Sequence, residues 1–92
     1  RVTEVVLQQN NQNITEILTV TSSELVTLTC ITGTSRPDPT IDWYTGSQKR
    51  GSGRSLTIAF SNMDHNDPIY CLAYNTDPSK PVSSAKPRLY VR

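Results

Sequence analysis

Two cysteines bracket the only tryptophan of this chain, and that arrangement limits its fold more than any other feature. Trp43 lies thirteen positions after Cys30, and Cys71 lies forty-one after it. Ninety-two residues make one domain, and a domain of this length hides only about 60–65% of its unfolded surface. A covalent staple therefore matters. Two cysteines in an otherwise Cys-free chain suggest one disulfide and an oxidising compartment. Two buried free thiols, as in cytosolic domains, are the alternative. A bridge closing so long a loop contributes about 4 kcal/mol in the chain-entropy account. That is comparable to a large part of a small domain's stability.

The dominant hydrophobic period is two. Val26, Leu28 and Cys30 alternate with Leu25, Thr27 and Thr29, and Ile41 and Trp43 alternate with Asp42 and Tyr44. Leu56, Ile58 and Phe60 alternate with Ser55, Thr57 and Ala59. Ile69, Cys71 and Ala73 alternate with Tyr70, Leu72 and Tyr74, and Leu89 and Val91 with Arg88 and Tyr90. Each run is short and bounded by turn residues, which is the signature of strands. Five such strands plus an N-terminal one predict an all-β antiparallel sandwich. Ser35-Arg36-Pro37-Asp38-Pro39 cannot continue a ladder, because proline lacks the N–H. Gly51-Ser52-Gly53 reads as a turn, and Asp77 to Pro81 as a hairpin loop between the last two strands. The polar stretch Gln8 to Gln12 reads as a jog where the first strand changes sheet. Only twelve residues separate Trp43 from Leu56, which predicts a short form with a small C′ strand and little or no D strand.

At this point the chain resembles the immunoglobulin superfamily. CITGTSRPDPTIDWYTG resembles the B–C region of intermediate-set and constant-type immunoglobulin domains, through Cys30, Gly33, Pro37, Pro39, Ile41 and Trp43. SLTIAFSNMDHNDPIYCLAYN resembles their E–F region, with Leu56 and Ile58 in the E strand, Asp64 in the acidic turn, and Cys71, Ala73 and Asn75 in the F strand. The likeness runs from about Val20 to Val91 and is similar to modules of nectin-like and nephrin-like adhesion proteins. It implies an immunoglobulin-like two-sheet antiparallel β-sandwich with a Cys30–Cys71 bridge against Trp43. It also implies a core of Trp43, Leu28, Ile41, Leu56, Ile58, Ile69, Ala73 and Leu89. One departure matters. The position two before the second cysteine, where the family carries a corner tyrosine, is Ile69. Either the corner is absent and Ile69 is plain core, or a bulge re-registers Tyr70. Absence is the expectation.

With Cys71 and Trp43 inward, Asp42, Tyr44, Tyr70, Leu72, Tyr74, Arg88 and Tyr90 point outward from three neighbouring strands. That gathers all four tyrosines on one sheet face. Tyrosine and arginine favour interfaces, where they bury large area and keep a polar handle. These seven residues are the candidate partner-binding set. The alternative is that the aromatics only pair across strands and stiffen the sheet. Asn13-Ile14-Thr15 is a glycosylation triplet with no proline in the middle. Lys49, Arg50 and Arg54 read as a solvated basic turn, with a glycosaminoglycan site as the alternative. His65 reads as solvated.

Other classes of chemistry find no support in the residues. The single histidine and the lack of a spare cysteine fit neither a catalytic triad nor a zinc site. Asp64 and Asp67 fall short of a calcium cage. Gly51-Ser52-Gly53 lacks the helix of a phosphate loop. The expectation is no enzyme, no cofactor, no metal and no small-molecule substrate. Net charge is +1 and scattered, which gives no footprint for nucleic acid. No apolar run approaches twenty residues, so the segment inserts in no membrane, and no signal peptide is evident. Residues 1–92 are expected to be one immunoglobulin-like module of a longer protein. The predicted role is extracellular recognition or adhesion through a sheet face or loops. The partner is a protein, either a cell-surface receptor or ligand, a second copy of the same molecule included. An innate-immune recognition domain and a purely structural spacer are the rival readings.

Overall fold

A computed structural model describes residues 4–33, 38–75 and 77–92. Ten strand segments succeed one another: β1 Val6–Gln9, β2 Gln12–Asn13, β3 Ile17–Val20, β4 Leu25–Ile31, β5 Thr40–Thr45, β6 Gln48–Ser52, β7 Ser55–Ala59, β8 Ile69–Tyr74, β9 Val82–Ser83 and β10 Arg88–Val91. A 3₁₀ turn, Asn62–Asp64, connects β7 to β8. One layer runs β2-β1-β4-β7 and the other β6-β5-β8-β9, with β10 and β3 as a further pair. A bridge between Pro68 and Arg88 joins β10 to the approach of β8. Between β5 and β7 only β6 intervenes. This is the short form of the immunoglobulin-like sandwich.

The period-two pattern is visible as burial. Along β8, Ile69, Cys71 and Ala73 are buried, and Tyr70, Leu72 and Tyr74 half-buried. Leu28, Cys30, Trp43, Ile69, Cys71 and Ala73 have no exposed surface, and Leu7, Leu18, Phe60 and Leu89 almost none. Cys30 of one layer and Cys71 of the other form the disulfide. Trp43 sits directly opposite Cys71 in the β5–β8 ladder. Its indole Nε1–H donates to the Gly53 carbonyl at 2.8 Å, which satisfies the polar handle of an otherwise apolar ring. Ile69 packs as core, and the β5–β8 register runs without interruption. The tyrosine corner is therefore absent and no bulge replaces it.

Several expectations need correction. Ile58 is only half-buried. It belongs to β7, the outer strand of its sheet, and faces the equally half-buried Val26; with no D strand outside it, one flank stays open. The stretch Gln8–Gln12 is more than a jog. Asn10 and Asn11 both adopt positive φ (53 and 64), the conformation of a two-residue hairpin turn, and fold β2 back onto β1. The chain then crosses to the other layer, where β3 runs parallel to β10, so the sandwich is not antiparallel throughout. The last strand is split into β9 and β10. Pro37, Ser35 and Arg36 lie outside the described residues.

Candidate functional site

The outer face of the β6-β5-β8-β9 sheet is built by register. Tyr44 pairs with Tyr70, Asp42 with Leu72, and Thr40 with Tyr74. On the far side of β8, Leu72 pairs with Ser83. Side chains at alternate positions share a face, so Tyr70, Leu72 and Tyr74 form a continuous row with Tyr44 and Asp42 beside it. All five are half-buried.

Tyr70 is fixed on three sides. Its ring stacks on Tyr44 with centroids 5.7 Å apart and planes 12° from parallel. The Lys86 ammonium lies 4.7 Å from the ring centroid, within cation–π range. Its hydroxyl donates to the Gly46 carbonyl at 2.6 Å, in the turn between β5 and β6, where Gly46 has φ 58. Cross-strand pairing thus holds part of the aromatic row, as the stiffening alternative anticipates. Asp42 is engaged as well. Its Oδ1 accepts from the Ser52 hydroxyl at 3.1 Å and pairs with Lys49 Nζ at 3.3 Å. An exposed pair of this kind contributes about 0–1 kcal/mol.

Arg88 and Tyr90 are exposed but stand apart from the Tyr44–Tyr70 cluster. Tyr90 belongs to the β10–β3 pair rather than to the β6-β5-β8-β9 sheet, and its ring meets His65 edge-on at 5.2 Å. Arg88 Nη1 donates to the Asn66 carbonyl at 3.3 Å. The four tyrosines therefore form no single cluster. Strand parity correctly places a side chain inside or out, but not its distance along the face.

The basic turn is likewise reassigned. β6 carries one extra residue against β5, because Trp43 pairs with Gly51 and Tyr44 with Lys49. The bulged residue is Arg50, and a bulge re-aims a side chain. Arg50 points inward, with Nη1 2.8 Å from Asp64 Oδ1 and 3.0 Å from Thr45 Oγ1. Its guanidinium lies 5.9 Å from the Phe60 ring centroid. Asp64 Oδ2 in turn accepts from the Ser61 backbone N–H at 3.0 Å. Arg54 reaches Thr32 Oγ1 at 3.4 Å. Lys49 and Arg54 stay exposed and only Arg50 is withdrawn, so the turn presents two surface cations rather than three. His65 is more than solvated: its Nδ1 accepts the Val91 N–H at 3.1 Å. Nothing in the sequence marks the Arg50–Asp64, Arg54–Thr32 and His65–Val91 contacts, whose partners are fourteen or more residues apart.

Asn13 lies exposed on β2, where its Oδ1 accepts from Gln8 Nε2 at 2.8 Å. Among the described residues, every buried side-chain nitrogen and oxygen has a hydrogen-bond partner. No helix among them is long and apolar enough to cross a membrane.

The family model of the CD80-like C2-set immunoglobulin domain matches residues 6–58, which covers β1 to β6 and most of β7. No curated protein matches the chain. Immunoglobulin-like domains of this kind generally serve recognition and adhesion, and they are typically not enzymes. The matched span covers more than half of the chain, and the sandwich, the disulfide and the buried tryptophan agree with it: the chain belongs to the CD80-like C2-set immunoglobulin domains.

Proposed function

We propose that this domain is an extracellular recognition or adhesion module that docks a protein partner on the outer face of the β6-β5-β8-β9 sheet. One observation carries the reading. Leu72 and Tyr74 extend an aromatic row whose neighbour Tyr70 is already held by Tyr44, Lys86 and Gly46. A face ordered before contact loses little side-chain freedom on binding. Tyrosines on such a face supply area together with a hydroxyl for bonding at the partner's surface. The Asp42–Lys49 pair at the flank fits the polar rim of such an interface. The buried disulfide favours an oxidising, extracellular setting.

The residues to replace are Leu72 and Tyr74, since Tyr70 also supports the sheet. The double variant Leu72→Lys/Tyr74→Ser, with its disulfide intact, is expected to lose staining of partner-bearing cells and any self-association seen by sedimentation. Loss of staining alone points to a heterologous partner, and loss of self-association to a second copy. Binding that persists unchanged removes this face from the mechanism. The spacer reading has its own support in the fixed Tyr44–Tyr70 pair. It predicts a Tyr74 variant with unaltered contacts and a Tyr70 variant with lowered stability.

A further inference from the structure

Asn13-Ile14-Thr15 is the one Asn-x-Ser/Thr triplet of the sequence, and its placement is specific. It begins one residue after the Asn10-Asn11 turn, with Asn13 on β2, an edge strand of the β2-β1-β4-β7 sheet. Asn13 and Thr15 are exposed. Ile14 between them packs against the core, and its N–H donates to the Leu7 carbonyl at 2.9 Å. The backbone of the triplet is thereby anchored while its two reactive side chains face outward. The Gln8–Asn13 hydrogen bond occupies the amide oxygen of Asn13 and leaves the amide nitrogen open to solvent.

We propose that Asn13 is an N-glycosylation site, and that the glycan covers the β2 edge of the β2-β1-β4-β7 sheet. The inference rests on the extracellular reading, because the sugar is added in the secretory pathway. In the reaction, Asn13 Nδ2 forms a bond to the anomeric carbon of an oligosaccharide carried on a lipid pyrophosphate. The bond from that carbon to the pyrophosphate oxygen breaks, the lipid pyrophosphate leaves, and the nitrogen gives up one proton. The product is still an amide whose oxygen accepts from Gln8, so the hairpin contact is retained. An unpaired sheet edge is a template for unwanted strand pairing, and a bulky, solvated glycan blocks it. The aromatic row lies on the other layer and is left clear.

The test is secretion of residues 1–92 from a eukaryotic cell behind a leader peptide. The wild-type chain is expected to migrate above its polypeptide mass. It should return to that mass after treatment with an amidase that cleaves the sugar–asparagine bond. Asn13→Gln and Thr15→Ala should each be secreted without the shift. Peptide mass spectrometry on the wild type reads occupancy of Asn13 directly, even where a variant fails to leave the cell. A secreted, disulfide-bonded wild type with unmodified Asn13 overturns the proposal, as does a shift that survives Asn13→Gln. Neither result touches the docking face, which is judged by the binding of the Leu72/Tyr74 variant.

Discussion

Asp64→Ala is expected to be among the most damaging single changes outside the apolar core. It removes the counter-charge of Arg50 at 2.8 Å and the acceptor of the Ser61 N–H at 3.0 Å. The Arg50 and Asp64 side chains are 18% and 11% exposed. Breaking a fully buried pair by deleting one partner costs about 3–5 kcal/mol. The residual exposure lets water screen part of the stranded charge, so about 2–4 kcal/mol is expected here. A domain of this length has a total stability of about 5–14 kcal/mol. The loss should lower the melting temperature by at least about 8 °C. Arg50→Met keeps an unbranched apolar stem near Phe60 and strands Asp64 instead, at a similar cost. The double variant Arg50→Met/Asp64→Ala buries no charge. Its loss should fall below the sum of the singles by about 1.5–3 kcal/mol. Denaturant titration of all four proteins, with the disulfide intact and the m-value unchanged, measures that coupling. Single losses under about 1 kcal/mol that simply add are the behaviour of an exposed ion pair and refute the reasoning.

Two further outcomes follow from single positions. A Cβ built on Gly51 stands 2.7 Å from Leu56 Cδ1, the end of a side chain, so Gly51→Ala should cost only the turning of Leu56 off its rotamer, about 0.5–1.5 kcal/mol; a loss well above that range contradicts it. Asp77 is held below its ordinary carboxylate range by the Ser79 hydroxyl and then the Ser79 backbone N–H, outweighing a small opposing effect of burial. A depressed carboxyl keeps its bonds at neutral pH and gives them up as pH falls through the lowered value. NMR shifts of the Ser79 amide should therefore titrate below the usual aspartate range, and a midpoint at or above that range contradicts the hydrogen bonds.

Much of the frame was legible because it is local or repeats with a short period. Strand alternation placed Leu28, Ile41, Trp43, Leu56, Ile69, Ala73 and Leu89 inside, since a pleated strand sends successive side chains to opposite faces. Ile69 in place of a tyrosine foretold the missing corner. The site was legible only in part. Asp42, Tyr44, Tyr70, Leu72 and Tyr74 do share a face, but the separation of Tyr90 depends on how the last strand divides between two neighbours.

From the amino-acid order alone come the alternating core, the pair of cysteines able to join two layers, and the short path between the β5 and β7 segments, because each depends on spacing along one chain. Only the tertiary structure decided that Arg50 turns inward. Its partner Asp64 belongs to a different segment, and the extra residue that re-aims it exists only relative to the paired strand. The parallel β3–β10 pair and the bond between His65 and Val91 were decided the same way. A side chain's parity is written in its own strand; its partner is chosen by whichever segment the folded chain brings beside it.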